Sequence, residues 1–280
     1  MADGSAPSSP AAPGPAAEPL IRLVDVHKRF GKLVVLDGIN VEVQPRESLV
    51  ILGPSGTGKS VLIKHIVGLL RPDSGAVYFK GQRIDQLTEQ QLEPVRKRFG
   101  FLFQQGALFD SMNVLDNVAF PLREHGGRSE ADIIAIAHQK LAMVGLEDTD
   151  AKMAGELSGG QRKRVALARA IALDPEVVLY DEPTTGLDPI RSDVINELIL
   201  KLNDELHVTT IVVTHDMTSA FKVADRMVML FDGKVIFNGK PADIRQSPDE
   251  RVRRFVEGRA SADELAAIRR AGPAQSVPAE

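Results

Sequence analysis

The segment from Gly53 to Ser60, with the sequence GPSGTGKS, constrains this chain more than any other part of it. It matches the pattern G-x-x-x-x-G-K-[ST] and lies between an apolar run and a helical pattern, as a phosphate-binding loop does. Glycines in such a loop let backbone N–H groups turn toward a phosphate, and the following helix adds the positive end of its dipole. The residues predicted to surround a bound nucleotide here are Gly53, Pro54, Ser55, Gly56, Thr57, Gly58, Lys59, Ser60 and Val61.

The composition is that of a globular protein with an ordinary core. Hydrophobic residues make up 43% and charged residues 26% of 280 residues, which excludes disorder of the whole chain. The formal net charge of −4 gives no basic field, so nucleic acid is not an expected partner. The absence of cysteine excludes disulfides, thiolate metal sites and thiol catalysis.

No stretch of the sequence approaches the roughly 20 consecutive apolar residues of a membrane-spanning helix. Residues 1–19 are rich in Ala, Pro, Ser and Gly and lack the basic and apolar regions of a secretion signal. We interpret them as a disordered tail, and we expect any membrane role to come through a partner.

Short apolar runs alternate with longer helical patterns from Leu20 onward, which predicts an α/β fold with a mostly parallel sheet. The runs interpreted as strands are Leu20 to Val26, Ser48 to Leu52, Val177 to Tyr180, Thr209 to Thr214 and Arg226 to Phe231. An antiparallel hairpin is predicted around Gly81, with Ala76 to Lys80 and Gln82 to Ile84 as its two strands. A second hairpin is predicted at Asp232-Gly233, after the last of these strands.

Helical patterns fill much of the remaining chain. The helices predicted in the core are Lys59 to Leu70, Pro189 to Leu206 and Met217 to Ala224. Residues from about 88 to 169 are interpreted as a mainly helical insertion, with a helix starting at Ser129 to Asp132. Residues 241–280 are interpreted as a helical extension and tail, with amphipathic helices at Asp249 to Glu257 and Ala262 to Arg270.

Two acids, Asp181 and Glu182, follow the apolar strand Val177 to Tyr180. With a phosphate loop in the same sheet, this position places Asp181 near a Mg²⁺ ion that Ser60 also ligates. Glu182 would then orient and deprotonate an attacking water as a general base, while Lys59 reaches the phosphate oxygens.

A second phosphate-binding surface is predicted at Leu157-Ser158-Gly159-Gly160-Gln161, which precedes a helical run. Ser158 is a good helix N-cap, and the exposed N–H groups of a helix N-terminus attract an anion. Two phosphate-binding surfaces in one chain imply that they do not serve the same nucleotide.

The ordered set of phosphate loop, Gln104 after an apolar strand, LSGGQ, Asp181-Glu182, Gly186-Leu187-Asp188 and His215 resembles that of ABC ATPases. This resemblance covers roughly residues 20 to 239 and implies an ATP-binding domain at 20–240. It implies a P-loop NTPase (RecA-like) core with an antiparallel β subdomain and a helical signature subdomain at about 88–169. Two copies would pair head to tail, so that each ATP is held by one chain's phosphate loop and the other chain's signature.

The same resemblance implies roles for individual residues in ATP and Mg²⁺ handling. Ser158, Gly159, Gly160 and Gln161 would contact the partner's ATP, and Asp188 would lie at the dimer seam. Gln104 would couple the metal site to a transmembrane partner, with Ser60 and Asp181 as the other metal ligands. His215 would contact the γ-phosphate, beside Glu182 and Lys59 as catalytic groups.

Phe30 occupies the place where the family has an aromatic residue that stacks on adenine. An ordinary half-buried aromatic side chain in Lys28-Arg29-Phe30-Gly31 explains the same sequence, so both interpretations stay open.

A narrower resemblance links residues 96–125, with FQQGALF after RKR and then PLREH, to the ATPase subunits of Mla/Mce-type lipid transporters. PTTGLDPI at 183–190 and RVRRF at 251–255 also suit that group. The resemblance implies an integral membrane permease, an MCE-domain protein and, for some members, a STAS-domain protein as partners. It places the chain on the cytoplasmic face of a bacterial inner membrane, bound through the permease, and assigns it to ATP-driven (phospho)lipid transport.

Three other functions are alternatives to lipid transport. An ATPase that acts on DNA or ribosomes would carry a long coiled coil or a second ATPase domain, and neither is present in the sequence. An importer ATPase for amino acids or other small solutes has the same motifs and stays open. A scaffold without hydrolysis is opposed by intact Lys59, Asp181, Glu182 and His215.

Overall fold

Strands and helices alternate along the chain, and the computed structural model describes residues 18–260 and 265–266. Within residues 18–260 the chain forms ten strands: β1 (Ile21–Phe30), β2 (Leu33–Val43), β3 (Ser48–Leu52), β4 (Ser74–Phe79), β5 (Gln82–Arg83), β6 (Phe99–Leu102), β7 (Val177–Asp181), β8 (Thr209–Val213), β9 (Arg226–Phe231) and β10 (Lys234–Gly239). The same range forms nine α-helices: α1 (Lys59–Ile66), α2 (Glu89–Arg96), α3 (Val114–Glu124), α4 (Glu130–Met143), α5 (Gly159–Ala170), α6 (Pro189–Leu206), α7 (Met217–Val223), α8 (Pro241–Ile244) and α9 (Glu250–Glu257). A short 3-10 helix spans Ala154–Glu156.

The larger sheet has six strands in the order β10-β9-β3-β8-β7-β6. All neighbours pair in parallel except β9 and β10, which form an antiparallel hairpin at one edge. The parallel strands of this sheet are connected through helices, and both faces of the sheet are therefore available for helix packing.

Residues of the central strand alternate between two separate hydrophobic clusters. Leu49 and Ile51 of β3 pack in one cluster with α1 and the smaller sheet, whereas Val50 and Leu52 pack in the other with α3 to α7. All four side chains are fully buried. The parallel sheet is thus covered on both faces, which explains why its strands are continuous apolar runs.

The smaller sheet has four strands in the order β2-β1-β4-β5, and every pair in it is antiparallel. It contacts the larger sheet where the backbone N–H of Asp37 donates to the carbonyl of Gly233, at 2.8 Å. This bond joins β2 to the turn between β9 and β10.

The carboxyl ends of β3, β6, β7 and β8 lie along one edge of the larger sheet, because these strands run in parallel. In a sheet of this kind, ligands bind outside the carboxyl ends of the strands. The residues that follow these ends are Gly53, Phe103, Glu182 and Thr214.

Several predicted elements are confirmed. The bounds of β3, α6 and β9 agree with the prediction at both ends, and α4 starts after Ser129, whose side chain accepts a hydrogen bond from the N–H of Asp132. Both predicted hairpins are present, as β4-β5 and β9-β10. Within the segment 88–169, β6 joins the larger sheet between α2 and α3, so the insertion is not helical throughout.

Helix α1 ends at Ile66 and not at Leu70 as predicted. Gly68 has a φ of +67°, and its N–H donates to His65 O at 3.1 Å while the N–H of Leu69 donates to Lys64 O at 2.8 Å. These two bonds form a Schellman motif, which terminates the helix at the glycine.

Strand β1 continues to Phe30, four residues beyond the predicted end at Val26, and β2 has no counterpart among the predicted strands. The pairing of β1 with β2 contains register shifts around Val26 and Lys28. Such irregularities break the alternation of apolar and polar residues on which a strand prediction depends.

Two predictions concern segments that lie mostly outside the described residues. Most of the predicted tail at 1–19 and most of the predicted helix Ala262 to Arg270 lie outside the described residues. The predicted domain boundaries at 20, 88–169 and 240 stay predictions. Among helices in the described part of the chain, none combines the length and the apolar character needed to cross a membrane.

Candidate active site

The predicted phosphate loop connects the carboxyl end of β3 to the first residue of α1. Gly53 and Gly58 have φ values of 147° and 96°, in the region that favours glycine. A Cβ on Gly58 would lie 2.8 Å from the carbonyl oxygen of Val35, and one on Gly53 would overlap the carbonyl of Leu230. Neighbouring strands therefore press directly on the loop, and only glycine fits at these two positions.

Free backbone donors point to an anion site at this loop. Within residues 18–260, the N–H groups of Gly56, Gly58, Lys59 and Ser60 donate to no acceptor. The first turn of α1 carries no acidic residue that would compete with an anion. Unpaired N–H groups at a helix N-terminus form a phosphate cradle, so the loop fits the predicted phosphates.

Lys59 lies inside this loop, with only 6% of its surface exposed. Its Nζ donates to the carbonyls of Gly53 at 2.7 Å and Pro54 at 2.9 Å. Burial lowers the pKa of Lys59, while the nearby carboxylates of Glu182 and Asp181 act in the opposite direction. A buried ammonium beside a phosphate cradle is placed to bind phosphate oxygens.

Ser60 and Asp181 form a pair of hard oxygen ligands. The Ser60 hydroxyl donates to Asp181 Oδ1 at 3.1 Å, across the gap between α1 and the end of β7. Burial raises the pKa of Asp181, and the Glu182 carboxylate adds to this effect, against the hydrogen bond from Ser60. Hydroxyl and carboxylate oxygens are donors that Mg²⁺ prefers, so these two residues fit a magnesium ion.

Glu182 is held on several sides. Its φ of 51° is in the left-handed region, which is uncommon for a residue other than glycine. Its N–H donates to Val213 O at 2.9 Å, and its carboxylate accepts hydrogen bonds from Thr185 Oγ1 at 3.1 Å and Thr214 Oγ1 at 3.5 Å. The carboxylate is therefore fixed in direction although Glu182 is the first residue of a loop. Strained backbone of this kind clusters at functional sites.

His215 follows the carboxyl end of β8, and its Nδ1 lies 3.0 Å from Glu182 Oε1. The His215 side chain is 53% exposed, so its other edge is open to solvent. It lines a cleft of about 380 Å³ together with Thr185 and Leu187. One side of the His215 ring thus contacts the Glu182 carboxylate, and the rest of the side chain is accessible to a ligand.

The signature turn forms the N-terminus of α5. The Ser158 side chain accepts a hydrogen bond from Gln161 N at 3.3 Å, and Gln161 Oε1 accepts one from Ser158 N at 2.9 Å, which completes a capping box. No acidic residue lies in the first turn of α5. Within residues 18–260, no hydrogen bond or salt bridge connects this turn to the phosphate loop. The chain thus holds two separate surfaces suited to an anion.

Asp188 lies close to the signature turn. It caps α6, accepting a hydrogen bond from Arg191 N at 3.0 Å. Cβ atoms added to Gly159 and Gly160 would lie 3.5 Å from Leu187 and 3.7 Å from Arg191. The loop before α6 and the start of α5 therefore form one continuous surface.

The remaining predicted residues of the nucleotide site are Phe30, Gln104 and Val61. Phe30 is 48% exposed at the end of β1, with Lys28 Nζ 5.6 Å from its ring centre. Gln104 is exposed, and within residues 18–260 its side chain makes no hydrogen bond to Ser60 or Asp181. Val61 is partly buried against the cluster on the α1 side of the sheet. The roles predicted for these residues stay predictions.

Lys163 is a buried residue that the sequence analysis did not select. Only 6% of it is exposed, and its Nζ donates to the backbone carbonyls of Gln104 and Glu182, the latter at 3.3 Å. Burial lowers its pKa, against the nearby carboxylates of Asp181 and Glu182. Its spacing to Ala166 and Leu167, both buried on the same helix, is the sequence signal that places it inward.

The ABC transporter family matches residues 36–185, which include the phosphate loop, the signature turn and the Asp181-Glu182 pair. This segment is more than half of the 280 residues. The chain belongs to the ABC transporter family. The family recognised from the motifs is therefore confirmed.

Relatives of this ABC transporter chain include proteins with two different names. The intermembrane phospholipid transport system ATP-binding protein MlaF of Haemophilus influenzae is 46% identical over 239 residues, covering 85% of this chain and 90% of the relative. MlaF of Escherichia coli K12 is 42% identical, with coverages of 85% and 89%. The probable ribonucleotide transport ATP-binding protein mkl of Mycobacterium tuberculosis H37Rv is 44% identical over 83% of this chain, which spans 65% of that relative's length.

Solved structures of ABC proteins have the same fold. The dimeric ATP-binding cassette MJ0796 bound to ADP and phosphate has a TM-score of 0.73 and 35% identity, covering 79% of this chain and 98% of that chain. The cbiO1 protein of Clostridium perfringens, part of the transporter complex cbiONQ, has a TM-score of 0.75 and 29% identity, with coverages of 90% and 99%. The predicted fold class is confirmed.

Proposed function

We propose that this ABC transporter chain binds and hydrolyses ATP to drive phospholipid transport between membranes. The hydrolysis part depends on one observation, the convergence of the phosphate loop, Asp181, Glu182 and His215 at one edge of the larger sheet. Lys59 and the free N–H groups of the loop would bind the phosphates, and Glu182 would accept a proton from the attacking water. Hydrogen bonds from its neighbours fix the Glu182 carboxylate before substrate arrives.

Ser60 and Asp181 are the residues that would hold Mg²⁺, and Gln104 is the third predicted ligand. When bound there, the ion would neutralise charge on the phosphate oxygens. The bond of 3.1 Å between Ser60 and Asp181 already brings two oxygens together, so little rearrangement is needed to accept the ion.

The separation of the two anion surfaces supports a dimer as the working unit. Within residues 18–260, the signature turn makes no hydrogen bond to its own phosphate loop, and the N–H groups of Gly159 and Gly160 donate to no acceptor, as in an anion site. In a symmetric pair, the signature turn of one chain would face the phosphate loop of the other and enclose the nucleotide bound there. The solved MJ0796 cassette, which is dimeric with ADP and phosphate, is similar in fold.

The cargo proposal depends on the two MlaF relatives, which are named for intermembrane phospholipid transport and aligned over most of their length. By analogy, the chain would act at the cytoplasmic face of a bacterial inner membrane, bound to an integral membrane permease. An MCE-domain protein and a STAS-domain protein are the further partners that this analogy suggests. No nucleic acid is part of the proposed assembly.

The mkl relatives favour a second candidate, the transport of a small solute. Their name refers to ribonucleotides, and their identity of 44% is within the range of the MlaF relatives. Coverage favours phospholipid, because this chain aligns with 90% of the Haemophilus MlaF and with 65% of mkl.

The test is to purify the tagged full chain from its native membranes together with its permease, and to identify lipids in the complex by mass spectrometry. ATP hydrolysis is then measured in nanodiscs of phosphatidylethanolamine and phosphatidylglycerol, and separately with added nucleoside monophosphates. We expect co-purified phospholipid and hydrolysis that depends on the lipid. Stimulation by nucleoside monophosphates alone would support the solute candidate.

The Lys59→Ala variant is the control in both measurements, because it keeps the permease contact and removes the phosphate ligand. Hydrolysis that persists in this variant would come from a contaminant. An inactive wild-type complex in every lipid and solute would contradict the proposed ATPase.

A further inference from the structure

Lys163 is a buried lysine outside the proposed ligands of ATP, as is Lys140. A buried ammonium is stable only when its N–H groups have acceptors, since its desolvation costs several kcal/mol. Both protein acceptors of Lys163 lie outside its own helix: the backbone carbonyls of Gln104 and Glu182. The residue therefore connects three elements, α5, the loop after β6 and the end of β7.

The bond to Glu182 acts on an unusual stretch of backbone. Glu182 has a φ of 51°, and its N–H is held by Val213 O at 2.9 Å. Lys163 Nζ lies 3.3 Å from its carbonyl oxygen, on the other side of the same residue. The strained backbone is thus fixed at both of its polar groups, and the carboxylate direction follows from it.

The loop after β6 is attached to the same helix at a second point. Arg169 Nη2 donates to Gly106 O at 2.8 Å, and Asn117, which is 1% exposed, hydrogen-bonds both backbone groups of Phe109. Helix α5 therefore binds this loop at two points, through Lys163 at Gln104 and through Arg169 at Gly106. A displacement of the loop after β6 would therefore change the position of the Gln104 carbonyl that Lys163 binds.

We propose that Lys163 is a positioning residue, which fixes the backbone of Glu182 for hydrolysis and ties it to the loop at Gln104. Lys163 touches neither substrate nor the attacking water in this proposal, and it acts through Glu182. The inference rests on the proposed ATPase function, because Glu182 must be the general base for its position to matter.

The test is steady-state ATP hydrolysis by the full chain with Lys163→Met, which keeps the length and removes the donors. We expect kcat to fall about 10- to 100-fold, as small misplacements of catalytic groups do, with the KM for ATP changed less than about twofold. Lys163→Gln, which keeps an amide donor, should recover part of the lost kcat. An unchanged kcat in Lys163→Met would overturn the proposal.

Arg164→Met is the matched control on the same helix. Arg164 Nη1 donates to the carbonyls of Val144 at 3.3 Å and Gly145 at 2.9 Å, which belong to the helical segment and not to the site. We expect this variant to lose packing and hydrogen bonds while its kcat stays near the wild-type value. An equal fall of kcat in Arg164→Met and Lys163→Met would show a general structural effect and overturn the proposal.

A double variant separates positioning from stability. Since Lys163 acts through Glu182, adding Lys163→Met to Glu182→Gln should not lower the residual hydrolysis further. A further fall of about tenfold or more would show an independent role and overturn the inference. A wild-type chain without hydrolysis would instead contradict the proposed function, so the two failures are distinguishable.

Discussion

The Nδ1 atom of His215 lies 3.0 Å from Oε1 and 2.9 Å from Oε2 of Glu182, across the gap between the ends of β8 and β7. The imidazole therefore holds the carboxylate in place. The exposed edge of the imidazole faces the solvent, where a nucleotide would approach. Thr185 adds a hydrogen bond of 3.1 Å to the same carboxylate. The Glu182 carboxylate is thus oriented by neighbours in the loops that follow β7 and β8, as the proposed general base requires.

Glu182→Gln removes the base while keeping the shape of the side chain. We expect ATP binding to stay within about threefold of wild type and phosphate release to fall about 10²- to 10⁴-fold, the usual range for a general base. Both are measured on the same preparation, by nucleotide titration and by a phosphate-release assay. Glu176→Gln is the control, since Glu176 precedes the opposite end of β7 and pairs with Lys80. Phosphate release by Glu182→Gln at the wild-type rate would refute its role.

Ser158 can be tested without damage to its helix. Ser158→Asp keeps an N-cap acceptor and improves the interaction with the helix dipole, so we expect the melting temperature to be unchanged or higher. The added charge faces the anion surface, and hydrolysis should fall about tenfold or more. Ser158→Thr keeps both the cap and the neutral hydroxyl and should retain most activity. Full hydrolysis by Ser158→Asp would show that no phosphate approaches this turn.

Two glycines of the phosphate loop differ in their surroundings. Gly56 and Gly58 have φ values of 81° and 96°, but a Cβ on Gly56 meets no atom within 4 Å, whereas one on Gly58 lies 2.8 Å from Val35 O. We expect Gly56→Ala to cost about 1 kcal/mol through backbone strain, and Gly58→Ala to cost about 1–3 kcal/mol more. Denaturant unfolding of the nucleotide-free chain measures both, and equal losses would contradict the close approach of Val35.

The sequence predicts best those elements whose ends carry local signals. Helix α6 has the predicted bounds because Asp188 caps it, Pro189 is its first residue and His207 adopts the left-handed conformation after its last. Strand β2 was missed because its partner pairing is irregular and Gly38, with a φ of 73°, interrupts the apolar pattern. Its position is set by contacts with β1 and with the β9-β10 turn, and that turn lies far away in the sequence.

The candidate site shows the same division. Motif spacing identified the phosphate loop, Asp181, Glu182 and His215, because each follows a strand that the apolar pattern marks. Lys163 was not found, since its importance comes from the carbonyls of Gln104 and Glu182, which lie 59 and 19 residues away. A charged residue in a basic run is ordinarily solvated, and only the tertiary structure shows that this one is buried.

Tyr180 gives a prediction about stability. Its hydroxyl is buried among apolar side chains and has no hydrogen-bond partner within the described residues, and burial raises its pKa above the usual range. Tyr180→Phe should therefore stabilise the fold by about 1 kcal/mol, since it removes an unsatisfied polar group. Tyr78→Phe, at a partly exposed site, should change stability little in the same denaturant unfolding experiment. A loss of stability in Tyr180→Phe would show that the hydroxyl has a bound water or another partner.

The central claim is that the phosphate loop of one chain works with the signature turn of another. Mixing the inactive variants Lys59→Ala and Ser158→Asp tests it most directly, because only a mixed pair then contains an intact loop facing an intact signature. With random exchange of chains and independent sites, we predict that phosphate release recovers to about one quarter of the wild-type rate, since roughly half the pairs are mixed and each has one intact site. A mixture that is no more active than the two variants measured separately would contradict the shared site.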